Sequence, residues 1–597
     1  MDALDRVRIF APPRIGVTQR ADGAFIVRSE DALPPDLPRV TDHLFAWARR
    51  APDRPFLMER AGEAWRGVTY AEAADAVRRI GAALLARGLT PTRGLAVLSG
   101  NSVNHALIGL AAQAIGVPYA PVSPPYSLLS EDLAKLRHIL GLLKPGLIHV
   151  ERAAPFARAL AIPEAAVEVV ATDPAGVDRA RPFAELLAHD ADTAVEAAIA
   201  AVDPEAAVKV LFTSGSTGLP KGVITNHRMM AANQAQIAAA WSFLSAEPPV
   251  LLDWLPWSHV FGCSHNVNMM MRNGGTLWID AGKPLPGEIE HTIRNIREVP
   301  ATISMNVPKG YELLIPRLEQ DEALARAFFA RLRVMLYAGA ALAPPLWKRL
   351  EDLARRHAPD RVVPMISSWG LTETSPAITS AHLEDAAPGC IGVPLTGLEI
   401  KLIAEDDKLE ARVRGANIFP GYFKNPEATA AAFDEEGFFR TGDAIAWIDP
   451  ADPNKGFRFN GRLTEDFKLS SGTRVNAGEV RICALAALSE IARDVLVVGE
   501  NKDDIGLLLI PHDHRRAELG TPALAEATSA ALQALNSHGH HASSREVVRA
   551  LFLVDPPSLD AGEITDKGSL NIRAILRRRA ADYERLFDDG DAAVIRP

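Results

Sequence analysis

The 597-residue chain predicts a large N-terminal layered α/β domain, completed by a β-rich subdomain and followed by a small α+β domain. Three observations predict this. Helical segments alternate with short apolar strands from about residue 44 to 120, and the same rhythm resumes after a glycine-rich loop at 213–222. From 389 to 449 it gives way to strands and turns. A chain of this length also exceeds what one hydrophobic core supports, so at least two domains are expected.

In chain order, residues 70–87 read as a helix and 94–98 as a strand. The apolar run Val208-Lys209-Val210-Leu211-Phe212 reads as a buried strand opening directly into the loop. Beyond it, 229–243 reads as a helix, 276–279 as a strand and 289–298 as a helix; 332–338 is a strand ending in Ala338-Gly339-Ala340. The β-rich part contributes strands at 398–402, 411–413 and 438–440. A boundary near Arg462 divides the chain into 1–461 and 462–597. In the second part, 479–489 and 522–536 read as helices, 495–498 and 505–510 as strands, and no internal repeat is visible.

Composition is that of a soluble globular protein, 48% hydrophobic and 23% charged. With 64 basic against 74 acidic residues the net charge is −10, which argues against a general nucleic-acid binder. Cys263, Cys390 and Cys483 are too few for a disulfide framework or a four-ligand zinc site and fit a reducing compartment. The N-terminus has no apolar signal core, and the most apolar stretch, 105–122, is broken by Gln113, Gly116 and Pro118. A cytoplasmic protein without a membrane partner is expected, as a monomer or homodimer.

The loop after the buried strand reads Thr213-Ser214-Gly215-Ser216-Thr217-Gly218-Leu219-Pro220-Lys221-Gly222. Glycines let the backbone approach an anion, hydroxyls donate to it and Lys221 adds a cation, so the loop suits a polyphosphate. It is neither a Walker loop nor a Gly-x-Ser-x-Gly nucleophile elbow, and a flexible Ser/Gly linker would not sit between a buried strand and a Lys-Gly-Val-Ile return. A second constellation, Ile366-Ser367-Ser368-Trp369-Gly370-Leu371-Thr372-Glu373-Thr374, gathers an aromatic ring, a turn glycine, a hydroxyl and a carboxylate. An aromatic face suits a purine, and Mg²⁺ favours one or two carboxylates plus substrate phosphates. Taken alone, this Trp/Glu pair, Thr441-Gly442-Asp443 and the lone His259 also admit plain structural readings.

The loop from Thr213 to Gly222 resembles the signature of the adenylate-forming enzymes, which include acyl- and aryl-CoA synthetases, luciferases and peptide-synthetase adenylation domains. The resemblance implies that Thr213, Ser214, Gly215, Ser216, Thr217, Gly218 and Lys221 hold ATP phosphates, with Gly339, Ala340, Trp369, Gly370 and Thr372 as further nucleotide contacts. Trp369 would lie near the adenine, Thr372 at the α-phosphate, and Glu373 would hold Mg²⁺. Asp443 would accept from both ribose hydroxyls, with Arg462 reinforcing it, because a carboxylate accepts without donating. Leu255-Pro256-Trp257-Ser258-His259-Val260-Phe261-Gly262 resembles the acyl-site element, with His259 at the carboxylate pocket; Trp254 and Trp257 read instead as packing residues. Lys567, in Gly562-Glu563-Ile564-Thr565-Asp566-Lys567-Gly568, takes the place of the lysine that bridges carboxylate and α-phosphate during adenylation. Lys468 matches a second lysine on another face of a small domain that the family rotates between steps, a surface lysine being its alternative reading.

The chain departs from the common pattern at Asp566, where a glycine usually precedes the lysine, in a loop from 462 to 472 that is one residue longer, and at Thr464, where a hinge Asp or Lys is common. The stretches 253–262, 274–283, Asn306-Val307-Pro308-Lys309-Gly310, Glu465-Asp466-Phe467-Lys468-Leu469-Ser470 and 560–567 resemble one branch, the bacterial feruloyl-CoA synthases, which often carry an aromatic where Arg474 stands. The expected activity is an ATP- and CoA-dependent ligase for a small carboxylic acid, a hydroxycinnamate such as ferulate. Transfer to a carrier protein, a medium-chain or benzoate-type acid, and a non-catalytic nucleotide binder are the alternatives; no carrier domain follows within the 597 residues, which favours free CoA. The run His538-Gly539-His540-His541 and the run Arg577-Arg578-Arg579 read as solvated rather than as metal or CoA sites.

Overall fold

The computed structural model describes residues 8–214, 219–383, 386–405, 408–463, 465–538, 546–565 and 570–597. Two large sheets organise the first 462 residues. One has seven strands among the described residues, and the buried strand Ala207–Ser214 lies near its edge, antiparallel to Pro220–Asn226 and parallel to Tyr119–Pro121. Val208, Lys209 and Val210 are buried, as the apolar run predicts, and the turn of this hairpin is the glycine-rich loop.

The other sheet has fifteen strands among the described residues, one part parallel and one antiparallel. Val250–Asp253, Thr276–Ile279, Ile303–Asn306, Val334–Tyr337 and Met365–Gly370 run parallel, connected by helices such as Ile289–Ile296 and Pro344–His357. Their carboxyl ends open onto Trp254–Gly262, Val307-Pro308, Ala338-Gly339-Ala340 and Leu371–Glu373. Motifs far apart in sequence therefore gather in the crevice outside the strand ends, where open α/β sheets bind ligands. The antiparallel part includes Leu398–Glu405, Lys408–Gly415, Phe439–Trp447 and Phe457–Arg462. Its outer edge is an N-terminal hairpin, Ile15–Gln19 with Phe25–Ser29, laid on Leu398–Glu405 by pairs such as Ile26↔Lys401.

Helix Val103–Ala114 contacts strands of both sheets and is buried along its whole length, which is why its pattern is apolar on every side. The Ser102 side chain caps it by accepting from the His105 amide. Helix His227–Ala240 is buried in the same all-round way and is capped by Asn226.

The remaining chain builds a three-stranded sheet, Ala492–Val498, Ile505–Pro511 and Val547–Phe552, covered by helices Ala477–Ala487 and Pro522–His538 and by two C-terminal helices. The large α/β domain with its β-rich part and the C-terminal α+β domain match the expected fold class. Expected and observed bounds differ by a few residues: the helix read at 229–243 is His227–Ala240 followed by a short 3₁₀ turn, Ser242–Ser245. No helix of the described residues is long and apolar enough to cross a membrane.

Candidate active site

The glycine-rich loop begins where strand Ala207–Ser214 ends, with Thr213 opposite Lys221 and Ser214 opposite Pro220 in the hairpin register. Gly215, Ser216, Thr217 and Gly218 lie outside the described residues. On the far side of the loop, the Phe423 amide donates to the Gly222 carbonyl at 2.7 Å and Tyr422 bridges to Val223. The segment 419–423 is thereby fixed alongside the loop.

That segment joins two of the expected site residues. Tyr422 Oη donates to Glu373 Oε1 at 3.0 Å, and Lys221 Nζ stands 4.7 Å from the centre of the Tyr422 ring. Glu373 sits in the turn Thr372–Thr374, buried, and burial raises its pKa above the ordinary value against the opposing pull of Tyr422, Lys221 and Arg462. Tyr422 is raised in turn by burial and by the neighbouring carboxylate. Tyr422 is absent from the sequence-derived set; its only signal is an aromatic residue after the turn Phe419-Pro420-Gly421.

Gly370 ends the strand just before this turn, and no other residue fits there: a Cβ would come 1.8 Å from the Pro376 carbonyl oxygen. Trp369, one residue earlier, is 7% exposed and donates its indole N–H to Asp443 Oδ2 at 2.9 Å. Asp443 is itself buried, and burial raises its pKa, with Arg462 and Trp369 acting in the opposite sense. Arg462 Nε is 3.3 Å from Asp443 Oδ1, close enough for ion pairing but without hydrogen-bond alignment, so Oδ1 retains its accepting capacity. Strand pairing sets this contact, since Asp443↔Arg462 is a register pair. Trp369, Asp443 and Arg462 thus form one group, and Lys221, Tyr422 and Glu373 another.

The remaining expected residues are spread around the crevice. Gly339, with φ of 88°, and Ala340 are exposed at the end of strand Val334–Tyr337. Thr372 is half-buried beside Glu373. His259 is half-buried; its carbonyl accepts from the Cys263 amide where the chain enters a π-helical turn, Phe261–Asn266, a geometry frequent at functional sites. Trp257 is buried against His105, their rings 5.2 Å apart, in agreement with its reading as a packing residue. Lys468 is exposed on a two-stranded ribbon, Phe467–Lys468 with Arg474–Val475. Lys567 and Thr464 lie outside the described residues, as do 539–541 of the histidine run.

One sequence reading is corrected. Of the run Arg577-Arg578-Arg579, the first two are exposed, but Arg579 turns inward to the buried Glu563, with 2.8 Å between Nε and Oε1, and also donates to the carbonyls of Asp555 and Pro556. A charge run read as uniform hides one residue that a buried carboxylate selects. The structure also shows a buried charge cluster that the sequence does not single out: Asp466 contacts Lys408 Nζ and lies 3.5 Å from Arg474 Nη2.

The fold, a large α/β domain followed by a C-terminal domain, is that of the adenylate-forming enzymes. The AMP-binding enzyme family matches residues 44–423 and the AMP-binding enzyme C-terminal domain matches 466–591. The chain belongs to the AMP-binding enzyme family and is an ATP-dependent acid–CoA ligase. Among curated relatives, a 3-[(3aS,4S,7aS)-7a-methyl-1,5-dioxo-octahydro-1H-inden-4-yl]propanoyl:CoA ligase of Mycobacterium tuberculosis is 30% identical over 481 residues, 79% of this chain and 88% of that one. 4-Coumarate–CoA ligase 5 of Oryza sativa subsp. japonica is 28% identical over 450 residues, 72% of this chain and 77% of that one. In fold, the chain is similar to ATP-bound MatB from Rhodopseudomonas palustris, with a TM-score of 0.71 at 21% identity over 92% of this chain and all of that one.

Proposed function

We propose that the protein joins a hydroxycinnamate such as ferulate to CoA through an acyl-adenylate. The observation that carries the reading is the union, at the strand ends, of Lys221–Tyr422–Glu373 beside the phosphate loop with Trp369–Asp443–Arg462. The resemblance of several stretches to feruloyl-CoA synthases and the similarity to a 4-coumarate–CoA ligase support the acyl group.

A carboxylate is a poor acyl donor because its leaving group would be oxide. Attack of its oxygen on the α-phosphorus of ATP forms the acyl-adenylate and releases pyrophosphate. In this reading the loop hydroxyls of Thr213, Ser214, Ser216 and Thr217 and the Lys221 cation hold the phosphates, and Asp443 Oδ1 accepts from the ribose. Glu373 is a carboxylate whose pKa burial raises despite Lys221 and Arg462 nearby, and no group of three or more His, Cys, Asp or Glu among the described residues could form a protein cage. That donor set fits Mg²⁺ shared with phosphate oxygens, and the ion would supply charge neutralisation there. His259 lines the carboxylate end, and Lys567 bridges carboxylate and α-phosphate. The CoA thiolate then attacks the acyl carbon and AMP leaves, with Lys468 presented by the small domain 462–597 after it turns relative to 1–461.

The test is a screen of aromatic and aliphatic acids with ATP and CoA, identifying the thioester by mass. Ferulate, p-coumarate or caffeate is expected to give a higher kcat/KM than octanoate, benzoate or acetate. A clear preference for an aliphatic acid or for benzoate rejects the hydroxycinnamate assignment.

A further inference from the structure

Lys135 lies in the first turn of helix Ala134–Leu143 in the large domain and is buried. Its Nζ donates to the Leu559 carbonyl at 2.7 Å, a contact spanning 424 residues of sequence, and stands 5.6 Å from the Tyr126 ring centre. Beside it, the Glu131 amide donates to Asp560 Oδ2 at 2.8 Å, and the Leu559 side chain packs on a hydrophobic cluster of the large domain. Three different interactions therefore converge on two adjacent residues of the C-terminal domain.

Those residues begin the segment that leads to Lys567. It is tied from within, because Glu563 accepts from the Ser558 amide and from Arg579, while Ile564 bridges to Leu570. Lys567 falls between these two residues in the sequence, three positions from each. The same helix also reaches the phosphate loop: one turn after Lys135, His138 Nε2 donates to the Pro220 carbonyl at 3.0 Å. A single helix thus touches both the base of the Lys567 segment and the return of the phosphate loop.

We propose that Lys135 is a positioning residue for adenylation, holding the base of the 558–570 segment at the phosphate loop so that Lys567 meets the α-phosphate. This rests on the reading of Lys567 given above. An ammonium donating to a carbonyl in a partly buried setting is a charge-assisted bond whose loss is felt about tenfold or more. Because the contact joins the two domains, it matters only while Lys567 is held at the phosphates and has no part once the small domain turns.

The test uses the full-length enzyme with Lys135→Met, which keeps the apolar stem and removes the donor. Acid-dependent ATP–pyrophosphate exchange is expected to fall about tenfold, with Lys135→Arg recovering much of it, while thioester formation from supplied acyl-adenylate and CoA stays near wild type. Hydrogen exchange at the Glu131 amide, which Asp560 protects, is expected to speed up in the Met variant. Equal damage to both half-reactions, or unchanged exchange of both kinds, overturns the proposal. If the wild-type enzyme shows no acid-dependent exchange with any acid, the functional reading fails instead, and the Glu131 amide still decides whether Lys135 pins the segment.

Discussion

Asp443 shows how one buried carboxylate keeps an oxygen available. Trp369 occupies Oδ2, and Arg462 lies beside Oδ1 without claiming its lone pairs in a hydrogen bond, so one acceptor remains on a buried side chain. Asp443→Ala is expected to raise KM for ATP and lower kcat/KM by on the order of 10²-fold, the loss of charge-assisted bonds to a nucleotide hydroxyl pair. Steady-state kinetics with ATP varied checks this, and an unchanged KM with full activity would remove Asp443 from the site. Tyr422 acts one step further out, orienting Glu373 and lying over Lys221. Tyr422→Phe keeps the ring under the lysine and loses the donated bond, so the Mg²⁺ concentration for half-maximal rate is expected to rise several-fold, with kcat down by about tenfold. A magnesium titration of pyrophosphate release tests it; an unaltered titration curve means that Glu373 needs no such support.

Among the elements, the strand Met365–Gly370 carries the most constraint, because it delivers Trp369 to Asp443 and turns at once to present Glu373. Gly370→Ala would drive a methyl into the Pro376 carbonyl 1.8 Å away and displace the turn. The expected result is a lower Tm and a kcat/KM reduced by about tenfold or more, since overpacking costs about 1–3 kcal/mol and here also moves a site residue. Thermal melting and kinetics of the purified variant decide it, and near-wild-type values for both would show that the turn yields freely. This element is readable in the sequence, as is the buried strand Ala207–Ser214 before the glycine-rich loop, because each lies in a short local string. Tyr422, Lys135 and Arg579 are not readable, since each acts through a partner 49, 424 or 16 residues away. Helix Ala134–Leu143 has an irregular start: its N-cap is Leu133, left-handed at φ of 55°, while Asp132 before it accepts from the Ala134 amide.

For the molecule as a whole, the buried histidines set a limit in acid. His105, His227, His265 and His382 are nearly fully buried, and His43 largely so; burial lowers each from 6.5 to about 4. The native state keeps these rings neutral while the unfolded chain protonates them below 6.5, so stability is fully present above that pH and lost as pH falls towards about 4. The Tm is expected to decline steadily across that window in scanning calorimetry. A flat profile there would mean that the rings are hydrated or that carboxylates offset them.

The N-terminal hairpin has a consequence of another kind. Ile26 finds its partner strand only at Lys401, 375 residues further along the chain. At roughly 5–20 residues per second of synthesis, Phe25–Ser29 would wait about 20–75 s on the ribosome with one edge unpaired. A strand made well before its partner thus stays an open edge until residue 401 has been made, the kind of edge that pairs wrongly with other chains unless it is shielded.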